Sequence, residues 1–358
     1  MTHGGNIYDI ERRTGIAKFH LIDYSANINP LGVPEELRNL IINQISSLVN
    51  YPDPDYIDLK ESIEGYYKLN KEDIILGNGA AELIHSFIRV IRPQKALLIQ
   101  PSFSEYRNAL EHVGAEIKEY CLREEKDFLL DMDDLINNIT NDIKLIVACN
   151  PNNPTSTLIS RIDMNKLVEF CYSRNVYIMI DEAFMDFVDK EGEITLLKDY
   201  QRYNNLFIVR AFTKFFGIPG LRLGFGASCN NRIIAELNRA ALPWNINTFA
   251  SGFGIMLGEN NKYAADTYKW LEAEREWFSG ELKKLRGMKI YKPSANFILI
   301  KLLEEKINTE LLKERLINYK IMIRECKSFH GLDNSFFRIA IKDRATNLYF
   351  LDALDKCL

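Results

Sequence analysis

The chain has 358 residues, of which 47% are hydrophobic and 26% charged, and its formal net charge is −4. These values are ordinary for a globular protein, and the length allows one large and one smaller lobe. Because no long basic or acidic run occurs, we expect no nucleic-acid partner. The N-terminal stretch lacks an apolar signal core and no apolar run approaches the length of a membrane span. We therefore expect a cytoplasmic protein without a membrane partner.

Cysteine and histidine usage indicates a reducing compartment and argues against a dedicated metal site. The six cysteines are widely scattered and form no CxxC pair, so we expect free thiols. None of the five histidines stands in HxxxH spacing, which is the spacing typical of zinc ligands on a helix. We expect no bound metal.

Short apolar runs in the first 210 residues predict a parallel sheet. Each run is separated from the next by a stretch long enough for a helix, and solid apolar runs are typical of strands buried on both faces. The runs are 95–100, 144–149, 176–180 and 206–210.

The C-terminal part predicts a small α+β lobe. Residues 263–285 are charged and amphipathic, and they predict one long helix. Beyond them, strand-like runs at 296–302, 319–326 and 336–341 alternate with a helical stretch near 308–318. We find no repeats, no low-complexity segment and no obvious flexible linker.

The segment GNGAAELIHSFIRVI, residues 77–91, places a glycine turn directly before an amphipathic helix. Free N–H groups and the helix dipole form an anion site there, and Gly79 allows close approach of a phosphate. The GK[ST] ending of a P-loop is missing. Taken alone, the segment is explained as well or better by a simple helix start.

Two further polar clusters follow apolar runs. CNPNNPTS, residues 149–156, has two prolines that rigidify a turn and fix its asparagines. In MIDEAFMDF, Asp181 and Glu182 end an apolar strand, where a carboxylate needs a cationic partner or several hydrogen bonds. A protonated pyridine nitrogen is one such partner, and a helix N-cap by Asp181 is the alternative.

The segment RAFTKFFGIPGLRLGF, residues 210–225, sets one lysine among apolar residues. A desolvated lysine has a lowered pKa and can form a Schiff base, so Lys214 is a candidate covalent carrier of an aldehyde cofactor. Thr213 and Arg222 are candidate phosphate ligands. The alternative is a lysine whose stem is buried and whose amine reaches the surface.

Together these clusters match the groups of pyridoxal 5′-phosphate (PLP). The chain offers an anion cradle, a carboxylate for a ring nitrogen, an amine for an aldehyde and an arginine for a phosphate. Each signal is weak alone, but the ordered set of four is strong.

The same motifs carry a resemblance that covers nearly the whole chain. The order GNGAAE, NPNNPT, DEAFMDF, TKFFGIPGLRLGF and FFRIAI resembles the fold-type I PLP-dependent enzymes of the aminotransferase class I/II group. The resemblance implies a large domain with a mostly parallel seven-stranded sheet flanked by helices, and a small α+β C-terminal domain. We expect an N-terminal segment (1–40) packing on the active site, a large PLP-binding domain (41–260) and a linking helix with the small domain (261–358).

Within this group the chain is most similar to the threonine-phosphate decarboxylases of cobalamin biosynthesis, which are related to histidinol-phosphate aminotransferases. The narrower resemblance rests on HGGN (3–6), DYSANINPLG (23–32), NYPDPDY (50–56) and IRECKSFHGLD (323–333). The near-terminal HGGN followed by SANINPLG is the most specific of these.

The resemblance implies how the cofactor is held. Lys214 would carry it as a Schiff base, Asp181 would bond the pyridine nitrogen, Asn153 the phenolic oxygen, and Phe103 would stack on the ring.

Its phosphate would lie among Gly79, Ala80, Thr213 and Arg222, with Tyr51 reaching it from the second subunit of a homodimer. The substrate, a small phosphorylated amino acid, would meet the residues His3, Gly4, Asn27, Asn153, Arg324 and Arg338.

Three residues depart from the pattern usual in the group. Phe184 stands where aminotransferases usually have a tyrosine near the phenolic oxygen, although the decarboxylase-like relatives also tend to have phenylalanine. Ala211 and Ala81 stand where hydroxyl side chains commonly help to hold the cofactor phosphate. We expect somewhat weaker cofactor retention and unchanged chemistry.

The reaction outcome stays open between alternatives. The first is decarboxylation of a phosphorylated amino acid, with O-phospho-L-threonine as the expected substrate. The second is transamination of histidinol phosphate or a similar compound, and the third is a non-catalytic cofactor-binding protein. The bond at Cα that lies perpendicular to the cofactor ring is the one that breaks, so the choice depends on geometry set by Arg338, Arg324 and the N-terminal segment.

Overall fold

The computed structural model describes residues 4–188, 190–258, 262–304 and 306–358. The helices are α1 (Ile7–Thr14), α2 (Glu35–Asn43), α3 (Ile57–Tyr67), α4 (Ala80–Ile91), α5 (Ser104–His112), α6 (Met132–Asn137), α7 (Arg161–Ser173), α8 (Glu191–Ile194), α9 (Phe212–Phe215), α10 (Asn231–Ala240), α11 (Thr248–Ser251), α12 (Lys262–Leu282), α13 (Thr309–Ile317) and α14 (Arg344–Cys357). The strands are β1 (Ile22–Asp23), β2 (Ile74–Gly77), β3 (Lys95–Gln100), β4 (Glu116–Cys121), β5 (Leu145–Cys149), β6 (Tyr177–Asp181), β7 (Leu206–Ala211), β8 (Gly224–Ala227), β9 (Met288–Ile290), β10 (Phe297–Leu302), β11 (Ile321–Met322), β12 (Arg324–Glu325) and β13 (Phe336–Ala340).

Seven strands form the large sheet, in the order β2-β8-β7-β6-β5-β3-β4. Strand β8 runs antiparallel to both of its neighbours, whereas every other adjacent pair is parallel. The predicted mostly parallel sheet of seven strands is therefore confirmed, and the four apolar runs of the first 210 residues coincide with β3, β5, β6 and β7.

The sheet is buried because its two faces pack into two separate apolar cores. In β3, Leu97 and Ile99 face one core, while Leu98 between them faces the other. Helices α4, α5 and α10 contribute to the second core, and α7 contributes to the first. Successive side chains of a strand point to opposite faces of the sheet. A strand whose two faces are both covered therefore needs an apolar residue at every position.

The C-terminal part forms a four-stranded sheet in the order β12-β13-β10-β9, whose adjacent strands are antiparallel. The predicted strand-like run 319–326 is two short strands, which belong to different sheets. Strand β11 pairs in parallel with β1 near the N-terminus, whereas β12 pairs with β13. Ile323, between the two strands, lies in neither.

The predicted long helix is also present as α12, which begins and ends within three residues of the expected bounds 263–285. None of the helices in the described ranges combines the length and apolar composition that a bilayer span requires.

Candidate active site

A cavity of about 420 Å³ lies at the carboxyl ends of the parallel strands. The last residues of β5, β6 and β7 (Cys149, Asp181 and Ala211) all line it, which is where open α/β sheets bind ligands. The residues predicted from the sequence that line it are Gly4, Asn27, Ala80, Phe103, Asn153, Asp181, Thr213, Lys214, Arg222, Arg324 and Arg338.

Two of the predicted site residues that the structure describes, Gly79 and Tyr51, do not line this cavity. Gly79 lies immediately before Ala80 and packs on Arg222 instead. Tyr51 is 77% exposed and stacks on Trp244, with the ring centroids 4.3 Å apart. His3 lies outside the described residues.

Lys214 enters the cavity from the short helix α9, which begins directly after β7. Its side chain is partly buried and has two guanidinium groups nearby. Burial, together with the positive charges of Arg338 and Arg222, lowers the pKa of Lys214 to about 8. A substantial share of this amine is therefore neutral near physiological pH, as a nucleophilic lysine requires.

The backbone around Lys214 is fixed by the N-terminal SANINPLG segment. The Asn29 N–H donates to the Lys214 carbonyl at 3.1 Å, and the Asn29 amide donates to the Phe215 carbonyl at 2.7 Å. Gly217 has a φ of +65°, and a Cβ there would lie 2.5 Å from the Gly32 oxygen. The glycine is therefore required both by its backbone angle and by the close approach of the two segments.

Asp181 is 4% exposed at the end of β6. Its Oδ2 accepts from the Tyr106 hydroxyl at 2.6 Å, and its Oδ1 accepts from the Ala183 N–H at 2.8 Å. Burial is the main cause that raises the pKa of Asp181, and these two bonds and Lys214 oppose it. The following 3-10 helix begins at Met185, so the alternative that Asp181 caps a helix does not apply.

Tyr106 was not anticipated from the sequence, although it stands three residues after Phe103 in PSFSEY. Its hydroxyl is the only protein side chain that donates to Asp181 among the described residues. The signal that could have identified it is the spacing, because residues three apart lie on one face of a helix.

The turn before α4 is shaped for close approach. Gly79 has a φ of +82°, and a Cβ at this position would lie 2.5 Å from Nη2 of Arg222. Arg222 itself has a positive φ of 59°, and its Nη2 donates to the Asn78 carbonyl at 3.4 Å. The first N–H groups of α4 and the Arg222 guanidinium therefore meet at one end of the cavity, where an anion is favoured.

A second cationic group lies on the small domain. Arg338 donates from Nη2 to the Ser25 carbonyl at 2.8 Å and from Nη1 to the Asn153 amide oxygen. Its Nε has no hydrogen-bond partner among the described residues. Burial, together with Arg324, lowers the pKa of Arg338 to about 10. This guanidinium is held in place by neutral groups, which leaves its charge available to an anionic ligand.

Arg324 lies directly opposite Arg338 in the β12–β13 pair. Its Nη2 donates to the Ser328 hydroxyl at 2.9 Å, and its guanidinium lies 5.1 Å from the centre of the Phe329 ring. Burial is the main cause that lowers the pKa of Arg324. Neither guanidinium forms an ion pair with a carboxylate in the part of the chain that the structure describes, and two adjacent guanidiniums of this kind indicate a ligand with more than one negative charge.

Asn27 and Gly4 complete this end of the cavity. Asn27 is 2% exposed, and neither its amide nitrogen nor its oxygen has a hydrogen-bond partner among the described residues. A Cβ on Gly4 would lie 2.2 Å from the Ser25 oxygen, so only glycine allows the N-terminal segment to lie this close. An orphaned buried amide beside a cavity is costly unless a ligand supplies its partners.

A buried ion cluster behind the site was not anticipated either. Arg210 is fully buried and donates to Glu182 at 3.0 Å, to Asp186 at 2.7 Å and to Glu191 at 2.9 Å. Glu182 was singled out in the sequence as a carboxylate in need of a cation, and its cation is this arginine. The sequence feature that points to this cluster is the arginine inside the apolar run LFIVRAF.

Residues 20–354 match the family described as aminotransferase class I and II. The chain belongs to this family. Its members use pyridoxal 5′-phosphate, so PLP is the cofactor, as the sequence predicted.

Relatives with two different activities are similar to this chain along nearly all of its length. It is 38% identical to a putative threonine-phosphate decarboxylase of Caldanaerobacter subterraneus subsp. tengcongensis, over 98% of this chain and 92% of the relative. It is 34% identical to the threonine-phosphate decarboxylase of Salmonella typhimurium, over 99% and 96%. The crystal structure of the histidinol-phosphate aminotransferase from Clostridium acetobutylicum superposes with a TM-score of 0.87 at 38% identity, covering 94% of this chain and 100% of that one.

The residues present fit the cofactor. Asp181 is a buried carboxylate with two neutral hydrogen-bond donors and room for a cationic one, and Lys214 is an amine with a lowered pKa. The α4 turn and Arg222 form an anion site at the same cavity. Phe184, Ala211 and Ala81, the three departures from the usual pattern, also line the cavity.

Proposed function

We propose that the chain is a PLP-dependent decarboxylase of a phosphorylated amino acid, and that it converts O-phospho-L-threonine to (R)-1-aminopropan-2-yl phosphate in cobalamin (cobamide) biosynthesis. The observation that carries the proposal is the paired guanidiniums of Arg324 and Arg338 beside the orphaned amide of Asn27. With Arg222 assigned to the cofactor phosphate, these groups remain for a substrate that carries both a carboxylate and a phosphate. The decarboxylase relatives at 34% and 38% identity support the same reading.

In this proposal the cofactor is held at its ring and at its aldehyde by residues of four different elements. Asp181 pairs with the ring nitrogen, Asn153 with the phenolic oxygen, Phe103 stacks on the ring, and Lys214 is the covalent attachment. When bound, PLP supplies a conjugated electron sink for the bond that breaks at the substrate Cα.

The phosphate of the cofactor is held at the other end of the site. The α4 turn at Gly79 and Ala80 provides N–H donors, and Thr213 and Arg222 add a hydroxyl and a guanidinium. Tyr51 does not line the cavity of its own chain. We therefore assign its contact with the cofactor phosphate to the site of a second subunit.

Arg338 and Asn153, which already contact one another, hold the substrate α-carboxylate. The substrate phosphate lies against Arg324, Asn27 and Gly4, with His3 from outside the described residues. Two fixed anchors on one small substrate set its orientation at Cα, and this orientation decides which bond is broken.

Lys214 acts as a proton donor in one candidate reaction and as a base in the other. In decarboxylation the carboxylate leaves as CO2, and the Lys214 ammonium donates the proton that replaces it at Cα. In transamination the neutral amine must instead remove the Cα proton. The pKa of about 8 makes both protonation states accessible near neutral pH, so this amine does not discriminate between the two reactions.

A second candidate is an aminotransferase of the histidinol-phosphate type. The structure with a TM-score of 0.87 and 38% identity favours it as strongly as the curated relatives favour the decarboxylase. A substrate with a phosphate but no carboxylate would leave Arg338 to the keto-acid acceptor. A non-catalytic binding protein is the third and least supported alternative.

One experiment separates the candidates. The PLP-loaded protein is incubated with O-phospho-L-threonine, and in parallel with histidinol phosphate and 2-oxoglutarate, while CO2 and glutamate are measured. We expect CO2 from the first mixture in stoichiometric amount with the amino-alcohol phosphate, and no glutamate from the second. O-phospho-L-serine and L-threonine serve as controls for the methyl group and for the phosphate.

The alternative outcomes are equally clear. Glutamate formation without CO2 would replace the proposal with the aminotransferase. A PLP-loaded protein that turns over neither mixture would exclude both named substrates.

A further inference from the structure

A cluster of potential metal ligands lies outside the cavity, at the junction of the two sheets. Glu119 and Cys121 belong to β4 at the edge of the large sheet, and His330 follows β12 in the small one. In the described part of the chain these are the three acidic, thiol or imidazole side chains whose ligand atoms all lie within 4.8 Å of one another. His330 lies 209 residues from Cys121 along the chain, so no local spacing in the sequence could reveal the cluster.

The two measured distances lie within about half an ångström of what a tetrahedral zinc ion requires. Zn–S and Zn–N or Zn–O bonds of about 2.3 and 2.0–2.2 Å place neighbouring ligand atoms about 3.3–3.6 Å apart. In the structure the Cys121 Sγ lies 3.9 Å from the His330 Nδ1, which lies 2.9 Å from the Glu119 Oε2. Shifts of about half an ångström in side chains that are partly or fully exposed would bring all three to one centre.

The carboxylate of this cluster is already oriented by neighbours. Glu119 Oε1 accepts from the Arg107 guanidinium and, at 3.4 Å, from the Gln100 amide, which leaves Oε2 directed at His330. Groups that hold a ligand in place from outside the coordination shell raise the affinity of a site for its metal. Arg107 also offsets part of the Glu119 charge, so the three ligands together carry less negative charge than their carboxylate and thiolate alone would.

Ion binding would change the contacts within this cluster. A metal ion would replace the direct contact between the His330 Nδ1 and the Glu119 Oε2. Burial and the charge of Glu119 raise the pKa of the Cys121 thiol, so the thiol is protonated before an ion binds. Zinc binding releases this proton to solvent and leaves a thiolate ligand.

We propose that Glu119, Cys121 and His330 form a binding site for a thiophilic divalent cation, Zn²⁺, with solvent as the fourth ligand. One sulfur, one nitrogen and one oxygen donor suit zinc better than magnesium or calcium, which prefer oxygen. The site would tie β4 of the large sheet to the turn that carries Phe329 and Ser328, both of which line the cavity. The sequence expectation of no bound metal rested on spacing alone, and a site assembled by tertiary contacts is invisible to it.

The test uses the PLP-loaded full chain in a buffer without phosphate, and the chromophoric competitor is the one chelator added. Zn²⁺ binding is measured by competition with a chromophoric chelator, and Co²⁺ is used as a spectroscopic probe because a cobalt–thiolate bond gives a near-ultraviolet charge-transfer band. We expect stoichiometric binding, the thiolate band, and a rise in the unfolding temperature with added Zn²⁺, since the cluster forms only in the native chain.

Variants identify the ligands. Cys121→Ser and His330→Gln should each lower the Zn²⁺ affinity at least about 10-fold, which is the smallest loss typical even of residues outside a coordination shell. Cys121→Ser should also abolish the thiolate band. Cys229→Ser and His112→Gln alter a partly buried cysteine and an exposed histidine elsewhere, and they should bind as the unaltered chain does.

Two outcomes would overturn the proposal. Zn²⁺ affinity that is unchanged in Cys121→Ser and His330→Gln would place the bound ion elsewhere, for instance at the cofactor. Absence of any stoichiometric binding by the unaltered protein would show that the cluster is only a hydrogen-bonded junction between the two sheets.

Discussion

At the scale of single residues, Lys214 owes its proposed role to where it is placed. The charges of two guanidiniums, Arg338 and Arg222, act on its amine, and its side chain is partly buried. Both effects destabilise the ammonium form, and the Asp23 and Asp181 carboxylates offset them only in part. A lysine with the ordinary pKa would be almost fully protonated at neutral pH and a poor nucleophile.

The first prediction concerns the pH dependence of cofactor uptake. Only the neutral amine attacks an aldehyde, and below the pKa its fraction rises about tenfold per pH unit. Because the pKa of Lys214 is about 8, the rate of PLP binding to the cofactor-free protein should rise with pH and level off above pH 8. Stopped-flow absorbance measures this rate.

The control for this prediction is Lys214→Ala. After reduction with borohydride, mass spectrometry should find one covalently attached cofactor in the unaltered chain and none in the variant. A rate that keeps rising toward pH 10.5, the pKa of a solvated lysine, would contradict the lowered pKa.

The second prediction concerns the charge of Asp181. Asp181→Asn keeps the shape and one hydrogen-bond acceptor but removes the negative charge, so it should no longer favour a protonated ring nitrogen. We expect kcat to fall at least about 100-fold, as removal of one preorganised electrostatic group typically does. Cofactor binding, followed by visible absorbance, should persist in part.

Tyr106→Phe is the matched comparison, because it removes one hydrogen bond to Asp181 and leaves the charge. Its loss of kcat should be much smaller than that of Asp181→Asn. Near-normal turnover of Asp181→Asn would exclude the assigned role.

At the scale of elements, the ends of β6 and β7 are tied together by the buried arginine. Arg210 on β7 faces three carboxylates, and Thr195 also accepts from its Nη2 at 3.0 Å. Burial is the main cause that raises the pKa of Asp186 to about 7, although Arg210 opposes it. The cluster thus fixes the two strands whose last residues, Asp181 and Ala211, line the cavity.

The third prediction is that Arg210→Met strongly destabilises the fold. It leaves Glu182, Asp186 and Glu191 without their cation, and breaking a buried ion pair in this way costs about 3–5 kcal/mol. Chemical denaturation measures the loss of unfolding free energy. Arg239→Met, at an exposed position on α10, should change it by less than about 0.5 kcal/mol. Equal effects of the two variants would show that the cluster contributes nothing beyond surface packing.

The N-terminal segment is the second element with a consequence for the site. Gly4 lies against the Ser25 carbonyl, which accepts from Arg338, and the Gly5 N–H donates to the Ser25 hydroxyl at 2.8 Å. The segment therefore covers the part of the backbone that holds the proposed carboxylate-binding arginine.

The fourth prediction is the effect of removing residues 1–5. The absorbance of the bound cofactor should stay unchanged, because Lys214, Asp181 and the α4 turn are untouched. The KM for the phosphorylated substrate should rise and kcat/KM should fall far more than the unfolding temperature does. Removal of residues 1 and 2 alone is the control. If the shortened chain turns over O-phospho-L-threonine as well as the full one, the segment has no part in substrate recognition.

At the scale of the whole molecule, one face bears apolar side chains that the single chain does not cover. Leu48, Val49 and Tyr51 are 57%, 85% and 77% exposed, and Trp244 beneath Tyr51 is 44% exposed. Exposed apolar patches of this kind are typical of interfaces. This face is where we place the proposed homodimer contact.

The fifth prediction tests that contact by complementation. Lys214→Ala and Tyr51→Ala chains are each weak alone, but mixed dimers contain one site with an intact Lys214 from one chain and an intact Tyr51 from the other. We expect activity to reappear when the two variants are unfolded together and refolded. No recovery, although mixed dimers form by native mass spectrometry, would place Tyr51 in the site of its own chain or in none.

The sheet, the cofactor and most of the cavity wall could be predicted from the sequence alone. Apolar runs such as 206–210 mark strands buried on both faces, and Ala80, Asp181, Lys214 and Arg222, which stand at or near strand and helix ends, line the cavity. These signals are local, so each can be recognised within a single stretch of the sequence.

Which side chains are partners becomes known only from the folded chain. The pairing of Arg210 with Glu182, of Tyr106 with Asp181 and the meeting of Cys121 with His330 join residues from separate elements. The run 319–326 is likewise divided between two sheets because β11 pairs with β1 and β12 pairs with β13. Charges and hydrogen bonds act between residues that are distant in the sequence. Their contribution to the free energy of folding depends on burial, which no single stretch of the chain specifies.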